Sequence, residues 1–321
     1  MAIHGLLKDG PRLGAHMSIA GGLPRSVERA VLHGCEALQI FTKSAGQWRA
    51  RPLPDEEIAA FRRRVDESTI RPVVAHASYL INLAARAEPL RSRSIESLVE
   101  EITRCEMLGL YGLVLHPGAC TGGRDAEGLR LVAQALDTAL KRCRKSKALV
   151  LLEHTAGTGT VLGHRFEHLA LILERMSDAR RVGVWLDTCH LLAAGYDIAT
   201  PAGYRDSFVE FERVIGLERL EGFHVNDSKK PLGSRIDRHE HIGRGCIGTE
   251  PFRWLLNDPR FESLPMLIET AKTERRERTR IEVDPLDAMN LATLRALRRG
   301  EVVGAQTDNA SCSPNTSASK Q

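Results

Sequence analysis

Short apolar runs alternate with longer segments of helical periodicity along most of the chain. That rhythm predicts repeated βα units and a parallel sheet. Eight runs read as strands: Arg12–Ile19, Ala37–Lys43, Pro72–Ser78, Gly112–Pro117, Ala148–His154, Val182–Asp187, Leu220–Asn226 and Pro265–Thr270. Between them, Glu88–Leu108 carries Leu90, Ile95, Leu98, Ile102 and Leu108 at helical spacing, with Gly109 as its stop. Leu129–Cys143 and Phe166–Met176 repeat the pattern, and Pro54-Asp55-Glu56-Glu57 reads as a charged first helical turn. Eight such units close naturally into a TIM (β/α)8 barrel, for which 321 residues is an ordinary length. An open, doubly wound sheet is the alternative, usually with fewer strands. The expected division is an N-terminal extension over residues 1–11, the barrel over 12–300 and a disordered tail over 301–321. That tail is rich in Ser, Asn, Thr and Ala and has no apolar period.

The strand ends change the picture. Barrel enzymes place their chemistry at the C-terminal ends of the strands. There the chain carries His76, His116, Glu153, Asp187 with His190, His224, then Asp237 with His239 in the following loop, and Glu269. That makes five histidines and four carboxylates from six successive strand ends. A lone histidine after an apolar run is more often a hydrogen-bonded core residue, and Asp187 alone reads as a helix cap. Nine together at one end of a barrel have no such account, whereas metal ions would satisfy all of them at once. Imidazole and carboxylate without thiolate suit Zn, Mn or Fe in preference to Mg. Nine ligands exceed what one ion takes, so two or three ions are expected. Asp237 and His239, two apart, share one side of an extended segment. Cys189 reads as a packing residue, with thiolate ligation the minor alternative. His16 is expected to line the site, His154 and His241 to support ligands from behind, and His164 and His168 to lie away from the mouth.

Composition adds limits. Net charge is +4, from 45 basic and 41 acidic residues, which by itself names no partner. Position says more: Lys43, Arg49, Arg51, Lys229, Lys230, Arg235, Arg238 and Arg244 cluster in the loops that follow the strands, with Trp48 and Tyr79 among them. Such loops suit a phosphate backbone, with aromatics to stack or wedge in DNA. The Arg62-Arg63-Arg64 and Glu274–Arg280 runs read instead as solvated faces. No run approaches the roughly 18 apolar residues of a membrane span, and the first ten residues are too weakly apolar for a secretory signal. Seven cysteines without a Cys-x-x-Cys pair favour unpaired thiols in a reducing cytoplasm.

The motifs Gly14-Ala-His16-Met-Ser18, His76-Ala-Ser-Tyr-Leu-Ile-Asn82, His116-Pro-Gly118, Leu186-Asp-Thr-Cys-His190 with Ala194-Gly-Tyr-Asp197, His224-Val-Asn-Asp227, Gly233-Ser-Arg-Ile-Asp-Arg-His239 and Glu269-Thr270 stand in order along the chain. Together they resemble the endonuclease IV family of apurinic/apyrimidinic endonucleases, also called AP endonuclease family 2. The resemblance runs from about Arg12 to Thr270, more weakly to Leu297. It implies three Zn2+ ions, with Mn2+ or Fe as substitutes. His76, His116 and Glu153 would hold the first. Glu153 would bridge to a second held by Asp187, His224 and Glu269, and His190, Asp237 and His239 would hold the third. It also implies hydrolysis of the phosphodiester 5′ to an abasic site in duplex DNA, as in base excision repair, leaving a 3′ hydroxyl and a 5′ deoxyribose phosphate. Glu153 and Glu269 would serve as catalytic carboxylates. Tyr79, Lys43, Trp48, Lys229, Arg235 and Arg238 are the expected DNA contacts, and a monomer suffices.

The chain departs from the family pattern in three places. His154 stands where members usually have Asn, and Ala77 where many have Asp. Gly46 stands where many carry an Arg that enters the minor groove. Two other functions fit a barrel with such strand ends: a metal-dependent sugar isomerase or epimerase, needing only one or two ions, and a non-catalytic module that binds abasic DNA. Metal content separates the first from the nuclease, and nicking separates the second.

Overall fold

The structure is a computed structural model that describes residues 10–274, 279–304 and 312. Eight parallel strands close into a barrel: β1 (Arg12–His16), β2 (Ala37–Phe41), β3 (Val73–His76), β4 (Gly112–Leu115), β5 (Leu149–Glu153), β6 (Val182–Asp187), β7 (Leu220–His224) and β10 (Pro265–Ile268), with β1 pairing both β2 and β10. The eight expected runs all contain a strand, each trimmed where the hydrogen-bonded ladder stops. Helices α1 (Leu23–Leu32), α2 (Asp55–Glu67), α3 (Glu88–Leu108), α4 (Asp125–Arg142) and α5 (Phe166–Arg175) follow β1 to β5 in turn. The short α6 (Thr188–Ala194) and α7 (Pro201–Val214) follow β6. A small antiparallel hairpin, β8 (Asp227–Ser228) with β9 (His239–Glu240), interrupts the path from β7 to α8 (Thr249–Leu256), and α9 (Pro285–Arg298) closes the ring. Gly109 ends α3 in the left-handed conformation (φ 71°), as its place in the sequence predicts.

The interior is layered. Ala37, Val74, Val114, Leu151, Trp185 and Leu267, all fully buried, pack together apart from the larger core under the helices. Side chains two apart on a strand share a face. Two residues beyond these six stand Gln39, His76, His116, Glu153, Asp187 and Glu269. An apolar floor therefore lies directly beneath a polar ring. On β7 the floor position is Gly222, where a Cβ would come 2.3 Å from the Trp185 ring. The indole occupies that room, and the residue two further on is His224.

Two expectations about the chain ends and cysteines are corrected. Cys246 and Cys312 form a disulfide, while the other five cysteines are free and buried. Val303 packs against the core and its carbonyl accepts from Thr249 Oγ1 (3.3 Å), so the packed chain continues past residue 300. Residues 1–9, and the tail apart from Cys312 beyond residue 304, lie outside the described residues. Among the described residues no helix is long and apolar enough to cross a membrane.

Candidate metal centre

The nine strand-end residues converge on one cup at the barrel mouth. His76, His116 and Glu153 each offer a ligand atom within 4.8 Å of the others, as do Glu153, Asp187, His224 and Glu269. A third group joins Asp187, His190 and His239. Asp237 lies 3.1 Å from His190 Nε2 and 3.2 Å from His239 Nε2. Glu153 stands between groups: Oε2 is 2.9 Å from His116 Nε2 and 3.2 Å from His76 Nε2, while Oε1 is 2.8 Å from His224 Nδ1.

Glu153, Asp187 and His224 are wholly buried, and buried His239 Nε2 faces two carboxylates, Asp237 at 3.2 Å and Asp187 at 3.5 Å, without a well-directed hydrogen bond to either. Acid groups packed among imidazoles in this way suit divalent cations, because each extra positive charge relieves desolvated carboxylates. Burial pushes the Glu153 carboxyl up, but His224 and His116 outweigh it and hold it well below the usual range. Glu269 is held low in the same sense, by His224 and His16 against its burial. Burial lowers His76 and His239, yet Glu153 and Glu269 raise the first to about 9, and Asp187 with Asp237 raises the second to about 9. The donor set thus fits metal ions, whose uptake would displace those protons.

Supporting groups surround the cup. His190 Nδ1 donates to the His154 carbonyl (2.9 Å) and His76 Nδ1 to the Ala77 carbonyl (2.8 Å), fixing both rings. Asp187 also caps α6 through the His190 amide (3.0 Å). Two residues missed by sequence reasoning belong here. Gln39 donates to Glu269 Oε1 and presents its carbonyl oxygen 2.8 Å from His224 Nε2. Asn226 donates to Asp187 Oδ2 (2.7 Å) and accepts from the Glu269 amide (2.8 Å). The signal for Gln39 was one neutral polar residue inside the apolar β2 run. For Asn226 it was the Asn within His224-Val-Asn-Asp227.

The outlying histidines divide. His16 Nδ1 lies 3.5 Å from Glu269 Oε1, lining the cup. His154 is buried with neither ring nitrogen hydrogen-bonded, and His241 Nδ1 accepts from Asn290 (3.0 Å). His164 is not remote from the mouth: its Nε2 faces Arg235 Nη2 at 3.0 Å. Cys189 is fully buried, and burial pushes its thiol far up, although it stands close to Asp237 and His239.

At the rim, Tyr79 is 64% exposed, with its ring 5.2 Å from His76 and 6.4 Å from His116. A cavity of about 220 Å³ opens there, lined by His76, Tyr79, Asn82, His116 and Val161 among others. Arg238 and Lys230 are exposed, and exposed Lys229 stands 3.8 Å from Glu240. Trp48 is half-buried under the Arg93 guanidinium (5.2 Å). Arg235 is exposed, but its Nε donates to the Gly157 carbonyl (3.0 Å) and its Nη2 meets His164. Lys43 is corrected as a DNA contact. Its side chain is 2% exposed and its ammonium points inward to Glu100 Oε2 (3.1 Å), Ser97 Oγ and the Trp48 carbonyl (2.9 Å each).

Known proteins bear on this geometry. Residues 27–289 match a family model described as xylose isomerase-like TIM barrel. A protein of Chloroflexus aurantiacus named probable endonuclease 4 is 50% identical over 290 residues, covering 90% of this chain and 99% of its own. The crystal structure of endonuclease IV from Thermus thermophilus superposes with a TM-score of 0.78 at 37% identity, covering 90% of this chain and all of that one. A D-tagatose 3-epimerase-like protein superposes at 0.64 with 18% identity over 90% of this chain, a likeness of fold alone.

Proposed function

The chain belongs to the endonuclease IV family, and from that membership we propose that it is a DNA-repair endonuclease. It hydrolyses the phosphodiester 5′ to abasic sites in duplex DNA, leaving a 3′ hydroxyl and a 5′ deoxyribose phosphate. The observation that carries this reading is the convergence of nine imidazole and carboxylate side chains into overlapping groups, with buried Glu153 shared between two of them. His76, His116 and Glu153 would hold one ion. Glu153, Asp187, His224 and Glu269 would hold a second, and His190, Asp237 and His239 a third.

Bound there, zinc supplies Lewis acidity toward a phosphodiester and makes water a nucleophile at neutral pH. The protein's own groups do the rest. Gln39 holds Glu269 and His224 in register, and Asn226 holds Asp187 against the Glu269 backbone. The apolar floor keeps water from reaching the cup from below. Tyr79 presents its ring beside a cavity with room for a baseless sugar. Extruding that sugar is less costly than extruding a paired nucleotide, which favours abasic sites over intact DNA. Lys229, Lys230 and Arg238 lie on the solvent side of the mouth, where phosphate neutralisation needs them.

Glu269→Gln tests the reading, since it keeps the volume and removes one ligand charge. On a duplex bearing one tetrahydrofuran abasic analogue, the wild-type protein is expected to nick on the 5′ side. The variant should fold normally and nick at least about 100-fold more slowly. Wild-type rates in the variant, or intact DNA with fully metallated wild-type protein, would overturn the assignment. Turnover of a ketose by that same protein would favour the epimerase-like function instead.

A further inference from the structure

Helix α3 buries two faces. Leu98, Ile102, Cys105 and Leu108 join the core, as an amphipathic helix should. A second buried stripe, Ser94, Ser97, Glu101 and Arg104, is polar and falls at spacings of three, four and three. Such a stripe is costly unless each group is matched.

What matches it is the mouth. Arg104 donates Nε to the Thr42 carbonyl (3.0 Å) and Nη1 to the Arg51 carbonyl (3.2 Å), and Glu100 accepts from the Ala50 amide (3.2 Å). Lys43 Nζ ties the Trp48 carbonyl to Ser97 and Glu100, and lies 3.8 Å from Glu101 Oε1. The same Glu101 oxygen accepts from the Ser78 amide (3.0 Å), which precedes Tyr79. Ser78 Oγ reaches back to the Ala45 carbonyl (2.6 Å), closing the circuit. Residues 42–54 form no helix or strand, so these bonds, together with Leu53 packed against the core, hold their path.

We propose that Lys43 and Glu101 are positioning residues for the substrate. Anchored on α3, this buried pair fixes the segment bearing Trp48 and Arg49 relative to the turn bearing Tyr79, so that both meet one duplex across the metal ligands. The proposal rests on the nuclease function above. Its physical content is preorganisation: a rim already held in place loses less conformational freedom when DNA binds. The nine metal-ligand side chains make none of the rim bonds described here. Loosening the rim therefore weakens binding in ground and transition states alike, raising KM and leaving kcat nearly unchanged.

The test uses the metal-loaded full chain and the duplex with one tetrahydrofuran abasic analogue. Lys43→Met is expected to raise KM about 10-fold with kcat within about threefold and metal content unchanged. The neutral pair Lys43→Met with Glu101→Gln removes both deeply buried charges together; Glu100, whose side chain is 29% exposed, keeps solvent contact and its bond from the Ala50 amide. The pair should recover thermal stability while keeping the raised KM, because the bond to the Trp48 carbonyl is still missing. A double variant whose KM returns with its stability, or a Lys43→Met protein that loses only kcat or metal, would overturn the proposal. If Lys43→Met does not fold, Ser78→Ala cuts the strut to Ala45 and should raise KM about threefold; an unchanged KM there overturns it too. Failure of the wild type to nick would instead reject the nuclease function on which all of this stands.

Discussion

His168 shows what burial does to one side chain. It sits in α5 at 5% exposure, its Nδ1 accepting from the Gly163 amide (3.3 Å), and burial with nearby His164 pushes its pKa down to about 4. In the unfolded chain a histidine titrates near 6.5. Between those values the unfolded state binds the extra proton. This contribution is therefore constant above about pH 6.5 and is lost as pH falls toward 4. The full effect is on the order of 3 kcal/mol. Denaturant unfolding of wild type and His168→Gln from pH 7.5 to 4.5 should show the variant with the flatter profile. His154, held at about 3 by its burial, acts in the same direction and is common to both proteins. Parallel profiles would show that the His168 ring takes up its proton without unfolding.

At the scale of elements, the loop between β8 and β9 carries two of the proposed ligands, Asp237 and His239, to the cup. It departs from regular structure at Arg235, which adopts φ 53°. There the Arg235 amide donates to the Ala193 carbonyl (2.8 Å), its carbonyl accepts from Thr158 Oγ1 (2.9 Å), and its guanidinium spans Gly157 and His164. Asp237 and His239 follow directly. Arg235→Met removes the side-chain half of that joint. After gel filtration the variant should retain about one metal ion fewer per chain than wild type, while the Tm values of the two metal-free proteins stay close. Equal metal content would show that the bonds to Gly157 and His164 are not needed to bring the loop to the cup.

The same loop marks where the sequence stopped being readable. Strands announced themselves as short apolar runs between helical segments, and on six of the eight a candidate ligand stands two residues past the floor residue, a period-two signal carried within a few positions. Asp237 and His239 were legible for the same reason, being two apart. Their scaffold was not: Arg235 and His164 are 71 positions apart, and nothing local to either points to the other. Lys43 is the plainest case. Phe41-Thr-Lys at a strand end reads as a rim cation, and only Ser97, Glu100 and Glu101, more than fifty positions on, turn its ammonium inward. Gln39 carries no charge to draw notice, and the Cys246–Cys312 pairing spans 66 residues.

Across the whole molecule, the barrel works as a vessel closed at one end. Ala37, Val74, Val114, Leu151, Trp185 and Leu267 seal it below the ligands, and the absence of a side chain at Gly222 lets the indole complete the plug. The ring of helices closes the sides. Among the described residues the mouth is the open end of this vessel, and it is the end that a duplex would cover. Ions, protons and water entering by the mouth would share that path with DNA, and a bound duplex would act as a stopper. Chelator should strip metal from the free protein faster than from protein saturated with uncleaved abasic duplex, by about 10-fold or more in rate at equal chelator concentration. Equal rates would mean that ions leave by another route through the wall. With the floor sealed, whatever the cup holds would be retained most firmly while the protein is engaged with DNA.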